Sequence, residues 1–135
     1  MNITWKKVGS WIVDDPEIVP GWNALKITMP YGLPEYVLMP GDDTLIPTGL
    51  WFPGLYKDFI ITPAHHTYPN TASDVMGVWN GTLKSNPILH LSIVVDKSQV
   101  YVHIINLGSK ELKYKSGNII SYFVFTPILS IYEEE

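Results

Sequence analysis

Apolar residues in this chain recur in short, turn-bounded runs rather than at helical spacing. No stretch keeps an apolar face for three helical turns, and eleven Pro and ten Gly are scattered throughout, so helix can only be a minor component. The clearest runs are Thr44 to Ile46, Asp58 to Thr62, Ile88 to Val95, Gln99 to Asn106, Glu111 to Tyr114 and Asn118 to Phe125. Each is rich in β-branched or aromatic side chains, which fit a pleated, half-buried surface. The pattern predicts an all-β domain, a barrel or sandwich of short strands. Asp96-Lys97-Ser98, between two of these runs, predicts a tight hairpin.

Composition changes the picture in three ways. At 135 residues the chain fits one domain able to bury about two-thirds of its unfolded surface. It contains no Cys, which forbids disulfides, thiolate zinc sites and thiol catalysis. Its net charge of -4 lacks the surplus of cations that a reader of nucleic-acid backbone needs. No apolar run reaches the length of about 18 residues that suggests a membrane span, and the N-terminal residues lack the apolar core of a signal peptide. The expectation is a chain free of nucleic acid and membrane, in a virion or the host cytoplasm.

Three segments stand apart. Residues 1–19, with Trp5 and Trp11, read as an N-terminal extension that wraps a neighbouring subunit or docks onto a larger assembly. Residues 64–87 turn polar and Gly/Pro-rich around Tyr68 and Trp79, as a long surface loop does. Residues 129–135 form a short acidic tail. Tyr68 and Trp79, with His65 and His66, are the candidate partner-binding residues, because exposed aromatic side chains anchor interfaces.

Other chemistry is thin. Asp42-Asp43, after Pro40-Gly41, reads as a solvated hairpin turn, and Asp14-Asp15 before Pro16 reads likewise. Adjacent His65 and His66 would point to opposite faces of a strand and rarely share a metal. His90 and His103 meet diagonally on one face if the hairpin turn has two residues, and separate if it has three. No Ser-His-Asp order or phosphate-cradling glycine loop is found. No metal or cofactor is expected.

Four segments taken in order, PGDDTLIPTGL at Pro40 to Leu50, YKDFIITP at Tyr56 to Pro63, YVHIINLG at Tyr101 to Gly108 and YKSGNIISYFVFTPI at Tyr114 to Ile128, resemble the spine of the trimeric dUTPases and dCTP deaminases. The resemblance covers residues 20 to 128 and rests chiefly on the Pro-Gly, Pro-Thr-Gly and Asn-Leu-Gly elements. It implies a distorted jelly-roll barrel assembled as a homotrimer. The family's catalytic motifs do not carry over. Asn23, in Pro20-Gly21-Trp22-Asn23-Ala24, stands where an Asp would help hold metal-bound triphosphate, and an amide is the poorer Mg²⁺ ligand. Pro63-Ala64-His65-His66-Thr67 replaces a phosphate-binding Pro-Arg-Ser-Gly run. Ile93 falls at the water-orienting Asp and Asp96 at the Tyr beneath uracil; an alternative register puts Asp96 at the Asp but still supplies no Tyr.

Tyr122 takes the place of a Gln, and the glycine-rich, Arg-containing tail has no counterpart after Pro127. All nine cationic side chains are Lys, so the side chain best shaped to grip phosphate is absent. Phosphoryl transfer depends on positioning and charge stabilisation. The expectation is therefore a protein that is not an enzyme: a virus- or phage-encoded trimeric module, serving as a virion structural or attachment component. The competing readings are a diverged hydrolase or deaminase acting on dUTP or dCTP, and a viral regulator that binds a host protein.

Overall fold

The structure is a computed structural model that describes residues 2–66 and 87–134. Eleven strands account for its regular structure: β1 (Lys6–Lys7), β2 (Glu17–Ile18), β3 (Ala24–Thr28), β4 (Tyr36–Leu38), β5 (Asp43–Pro47), β6 (Leu50–Trp51), β7 (Phe59–Ala64), β8 (Leu89–Asp96), β9 (Gln99–Asn106), β10 (Leu112–Tyr114) and β11 (Ile119–Pro127). No helix occurs among the described residues. All six predicted runs appear as strands, within one to two residues at their ends, and the all-β class holds.

Two antiparallel sheets supply most of the core. One has the order β2-β3-β11-β7 and the other β5-β9-β8; the pairs β1-β6 and β10-β4 complete the fold. Leu25, Ile27, Phe59, Ile61, Phe123 and Phe125 from the first sheet meet Ile46, Leu89, Leu91, Val100, Val102 and Ile104 from the second in one apolar cluster. Phe52 lies between them, edge-on to Phe123 at 6.0 Å and to Phe125 at 5.4 Å, the geometry that suits the positive edge and negative face of aromatic rings.

Strand β9 alternates between half-buried and buried along its whole length, as a strand with one face on a core must. Strand β11 is different, because Ile119 to Phe123 are all buried. It sits between β3 and β7, with a register shift between Ile119 and Ser121 that lets consecutive apolar residues be buried.

The predicted hairpin is present with a shorter loop. Asp96 pairs with Gln99, so only Lys97 and Ser98 form the turn, both at positive φ (47° and 66°). That is the twist-matched two-residue turn of hairpins.

The N-terminal segment is tied to the rest of the chain: Lys6 and Lys7 pair with Trp51 and Leu50, Glu17 and Ile18 pair with Lys26 and Leu25, and Val13 and Val19 are buried. Gly49 shows how tightly this segment fits. It has φ +68° and its Cβ, if it had one, would lie 2.4 Å from Val13 Cγ2, so no other residue fits without movement.

Candidate functional site

The glycine- and proline-bearing elements that stand out in the sequence converge in space. At one end of the β5–β9 ladder, Gly41 N–H donates to Asn106 O (2.8 Å) and Asn106 N–H donates to Asp42 O (2.9 Å). The Asn106 side chain is buried; its amide donates to Leu38 O (3.0 Å) and Lys110 O (2.8 Å), and its oxygen accepts from Gly108 N–H (3.0 Å). Pro40-Gly41 and Asn106-Leu107-Gly108 are thus two halves of one corner. The turn links β4 to β5, which lie in different sheets, so it is a corner rather than the expected hairpin.

At the other end, Thr48 Oγ1 donates to Val100 O (2.7 Å) and accepts from Leu50 N–H (3.1 Å), while Thr48 N–H donates to the same Val100 carbonyl (3.0 Å). These bonds satisfy backbone groups that the core would otherwise strand without water.

The positions expected to carry chemistry are spent on packing and pairing. Asn23 Nδ2 donates to Phe125 O, a bond an ionised carboxylate could not make. Ala64 ends β7, and its carbonyl accepts from Ser121 Oγ (3.0 Å). Ile93 packs half-buried against the core, Tyr122 is buried with Val19, Ala24 and Ile119, and Asp96 is exposed beside the hairpin turn.

Of the candidate partner residues, His65 is exposed. His66 is only 1% exposed and its Nε2 lies 2.8 Å from Tyr114 Oη, with the rings edge-on at 5.4 Å. It is an interior residue, a correction to its place on a contact surface. Tyr68 and Trp79 lie outside the described residues.

The two-residue turn settles the histidines of the hairpin. Ser92 pairs with His103 and His90 with Ile105, which puts His90 and His103 diagonally on one face. His103 Nε2 lies 2.7 Å from Asp43 Oδ2, and its Nδ1 is 3.5 Å from Ser92 Oγ. Asp43 is therefore a hydrogen-bond partner of His103, not simply a solvated turn residue, whereas Asp42 caps the turn by accepting from Met39 N–H (2.9 Å). This Ser–His–Asp row was invisible in the sequence order, because strand register creates it. Asp43 and Ser92 stand on the two edge strands, β5 and β8, and His103 on the central strand β9 between them. Among the described residues no group of three His, Asp or Glu side chains could hold a metal ion.

Elsewhere, the exposed Tyr31 hydroxyl donates to Asp14 Oδ2 (3.0 Å). That bond, then the carboxylate's charge, holds the phenol above its ordinary value of 10.0.

No motif pointed to one further feature, an apolar pocket of about 180 Å³ between the N-terminal segment and the β2–β3–β11 sheet. Trp5, Ile18, Trp22, Ala24, Leu25 and Phe125 form most of its wall, with Ile3 and Asn23. Ile18 and Trp22, 65% and 58% exposed, stand at its mouth.

No protein-family model matches the chain, and no curated protein matches it by sequence. Its backbone resembles solved structures. A single-residue mutant of the dUTPase of Staphylococcus bacteriophage 80alpha superposes with a TM-score of 0.58 at 13% identity, over 99% of this chain and 95% of that one. A second mutant of the 80alpha phage dUTPase gives 0.57 at 12% identity, over 99% and 88%. The 80alpha dUTPase itself gives 0.53 at 15%, over 99% and 95%. The first and third of these structures are described as showing that phage dUTPases control transfer of virulence genes by a G protein-like mechanism. These superpositions show that this chain has the dUTPase-like β fold, on a sequence that has diverged far from those neighbours.

Proposed function

We propose that this chain is a non-catalytic, phage-encoded module of dUTPase-like fold that assembles as a homotrimer and acts through protein contacts as a virion component, a head decoration, fibre or tail protein. One observation carries the reading: what is retained from the family pattern is what holds the fold. Gly41, Asp42, Thr48, Asn106 and Gly108 make the corner bonds, whereas Asn23, Ala64, Ile93 and Tyr122 are engaged in packing and pairing. A fold of this kind hosts unrelated functions, so its retention carries no activity with it. Phage proteins as fold neighbours support the origin, and a compact trimer suits attachment at symmetric sites.

The test is direct. Purified protein at micromolar concentration, with magnesium and dUTP or dCTP, should release no pyrophosphate and no ammonia above buffer, and should sediment at three times its 15.3 kDa chain mass. Turnover would replace this reading with that of a diverged hydrolase or deaminase. Recovery of the chain in purified particles supports the virion role.

The gene-transfer control described for the phage dUTPases favours a second reading, a regulator that captures a host protein through Tyr68 and Trp79. Capture from host extract that disappears in Tyr68→Ala/Trp79→Ala, with absence from particles, would select it.

A further inference from the structure

We infer that the outer edge of β8 seats a second copy of this chain, the two β8 strands pairing antiparallel about a two-fold axis at Ile93 so that His90 of each faces Asp96 of the other. Neither loss of catalysis nor a trimer is assumed. In the sheet order β5-β9-β8 this strand has β9 on one side, and its eight residues, Leu89–Asp96, pair with β9 without a register shift. A sheet edge is a row of unpaired N–H and C=O groups that templates a further strand, and proteins ordinarily blunt it with Pro, Lys, a bulge or shortness. The other edges of the two large sheets are blunted in this way: β5 carries Pro47, β7 carries Pro63 and β2 has two residues. Strand β8 has none of these devices, and its Val94 and Val95 are 39% and 37% exposed.

Strand parity and charge select the occupant. Because Lys97 and Ser98 alone form the turn, Asp96 and Gln99 exchange both backbone bonds. By alternation Ser92 and Val94 turn their N–H and C=O groups toward β9, while Leu91, Ile93 and Val95 turn theirs outward. A second β8 laid antiparallel with Ile93 opposite Ile93 meets those outward groups with its own, since Leu91 then faces Val95. The same register sets His90 against Asp96 at both ends, where an imidazole N–H donates to a carboxylate; both residues are exposed. A slip of one residue misaligns the bonding groups and flips the faces, and a slip of two moves Asp96 onto Ile88 or Ser92. An unrelated extended peptide would satisfy the backbone bonds alone, whereas a second β8 also brings a carboxylate to His90 and an imidazole to Asp96.

The chain has no Cys, so disulfides can read the register. Full-length Ser92→Cys and Val94→Cys proteins are mixed in equal amounts, oxidised in a glutathione buffer and resolved by intact mass. In the proposed pairing Ser92 lies opposite Val94 in a non-hydrogen-bonded pair, with Cα atoms about 4.5 Å apart and within disulfide reach. The diagonal Ser92–Ser92 and Val94–Val94 pairs stand about 7–8 Å apart, beyond it. The mixed dimer should therefore exceed the two homodimers together roughly fivefold, where chance collision gives equality. That excess should collapse when His90→Asp, which sets carboxylate against carboxylate, is added to both proteins. Equality, an excess of either homodimer, no covalent dimer, or indifference to His90→Asp would each overturn the proposal. In the unsubstituted protein, hydrogen exchange followed by NMR should show the Leu91, Ile93 and Val95 amides as slow as those of Ser92 and Val94; fast exchange at the three outward amides would overturn it as well. Neither readout depends on turnover or on three-fold assembly.

Discussion

Asn23 and Phe125, 102 residues apart, are bonded twice: the Asn23 side-chain amide donates to the Phe125 carbonyl, and the Phe125 N–H donates to the Asn23 carbonyl at 2.8 Å. The amide joins the start of β3 to the end of β11, so the residue at the position where the resemblance leads one to expect a carboxylate holds two strands together.

Asn23→Asp should therefore destabilise the protein rather than restore chemistry. An ionised carboxylate has no donor for the Phe125 carbonyl and sets like partial charges together, a loss of about 1–2 kcal/mol at this partly buried site. Urea unfolding should show a lower midpoint at unchanged slope, without magnesium-dependent dUTP turnover. An unchanged midpoint would contradict the structural role.

Asn106→Ala removes three side-chain bonds from a buried corner. Orphaned buried groups cost about 1–3 kcal/mol each, not additively, so a loss of roughly 3–5 kcal/mol is expected, enough to unfold much of a marginally stable domain. Asn106→Asp should retain the Gly108 contact yet fare no better, since it loses both donors. Thermal unfolding followed by circular dichroism reads both variants.

Lys97 and Ser98 occupy left-handed backbone conformations, which cost an ordinary L-residue roughly 1 kcal/mol and Asn or Gly much less. Lys97→Asn/Ser98→Gly supplies the favoured sequence for this turn. The double variant should gain on the order of 1 kcal/mol, seen as a melting temperature about 3 °C higher. A decrease would show that the turn is not of this type.

Tyr31 gives the pH-dependent case. Its phenol is raised above 10.0 by the bond and charge of Asp14, so the neutral form is the one the fold favours. The stabilisation is fully present below pH 10.0 and is lost as pH rises through the raised value, where a phenolate would face a carboxylate. Asp14→Asn should return the Tyr31 titration toward 10.0, followed by NMR of ring-labelled tyrosine. A titration indifferent to the substitution would mean that the Asp14 contact does not form in solution.

How far the sequence carried differs by element. Strands β5, β7, β8, β9, β10 and β11 were legible because alternation, β-branching and turn formers are written in consecutive residues. Strands β1 and β2 were not: Lys6–Lys7 and Glu17–Ile18 are exposed two-residue pairings, and nothing in such residues announces their partners at Leu50–Trp51 and Leu25–Lys26. His66 looked like its neighbour His65, and only the placement of Tyr114 makes it interior.

The sequence by itself determined the all-β class, the central hairpin and the turn-forming elements at Pro40-Gly41, Pro47-Thr48-Gly49 and Asn106-Leu107-Gly108, since turn chemistry and period-two alternation act locally. The tertiary structure decided what those residues are for. Asn106 became a hub and Asn23 a strand tie because their donors meet carbonyls brought close by the packing of both sheets. Asp43, His103 and Ser92 became neighbours through strand register, and the Trp5–Trp22 pocket exists because the N-terminal segment packs beside β3 and β11. Each depends on pairings across tens of residues, whose loop-closure entropy is offset only when the whole core forms, and no local pattern can encode that outcome.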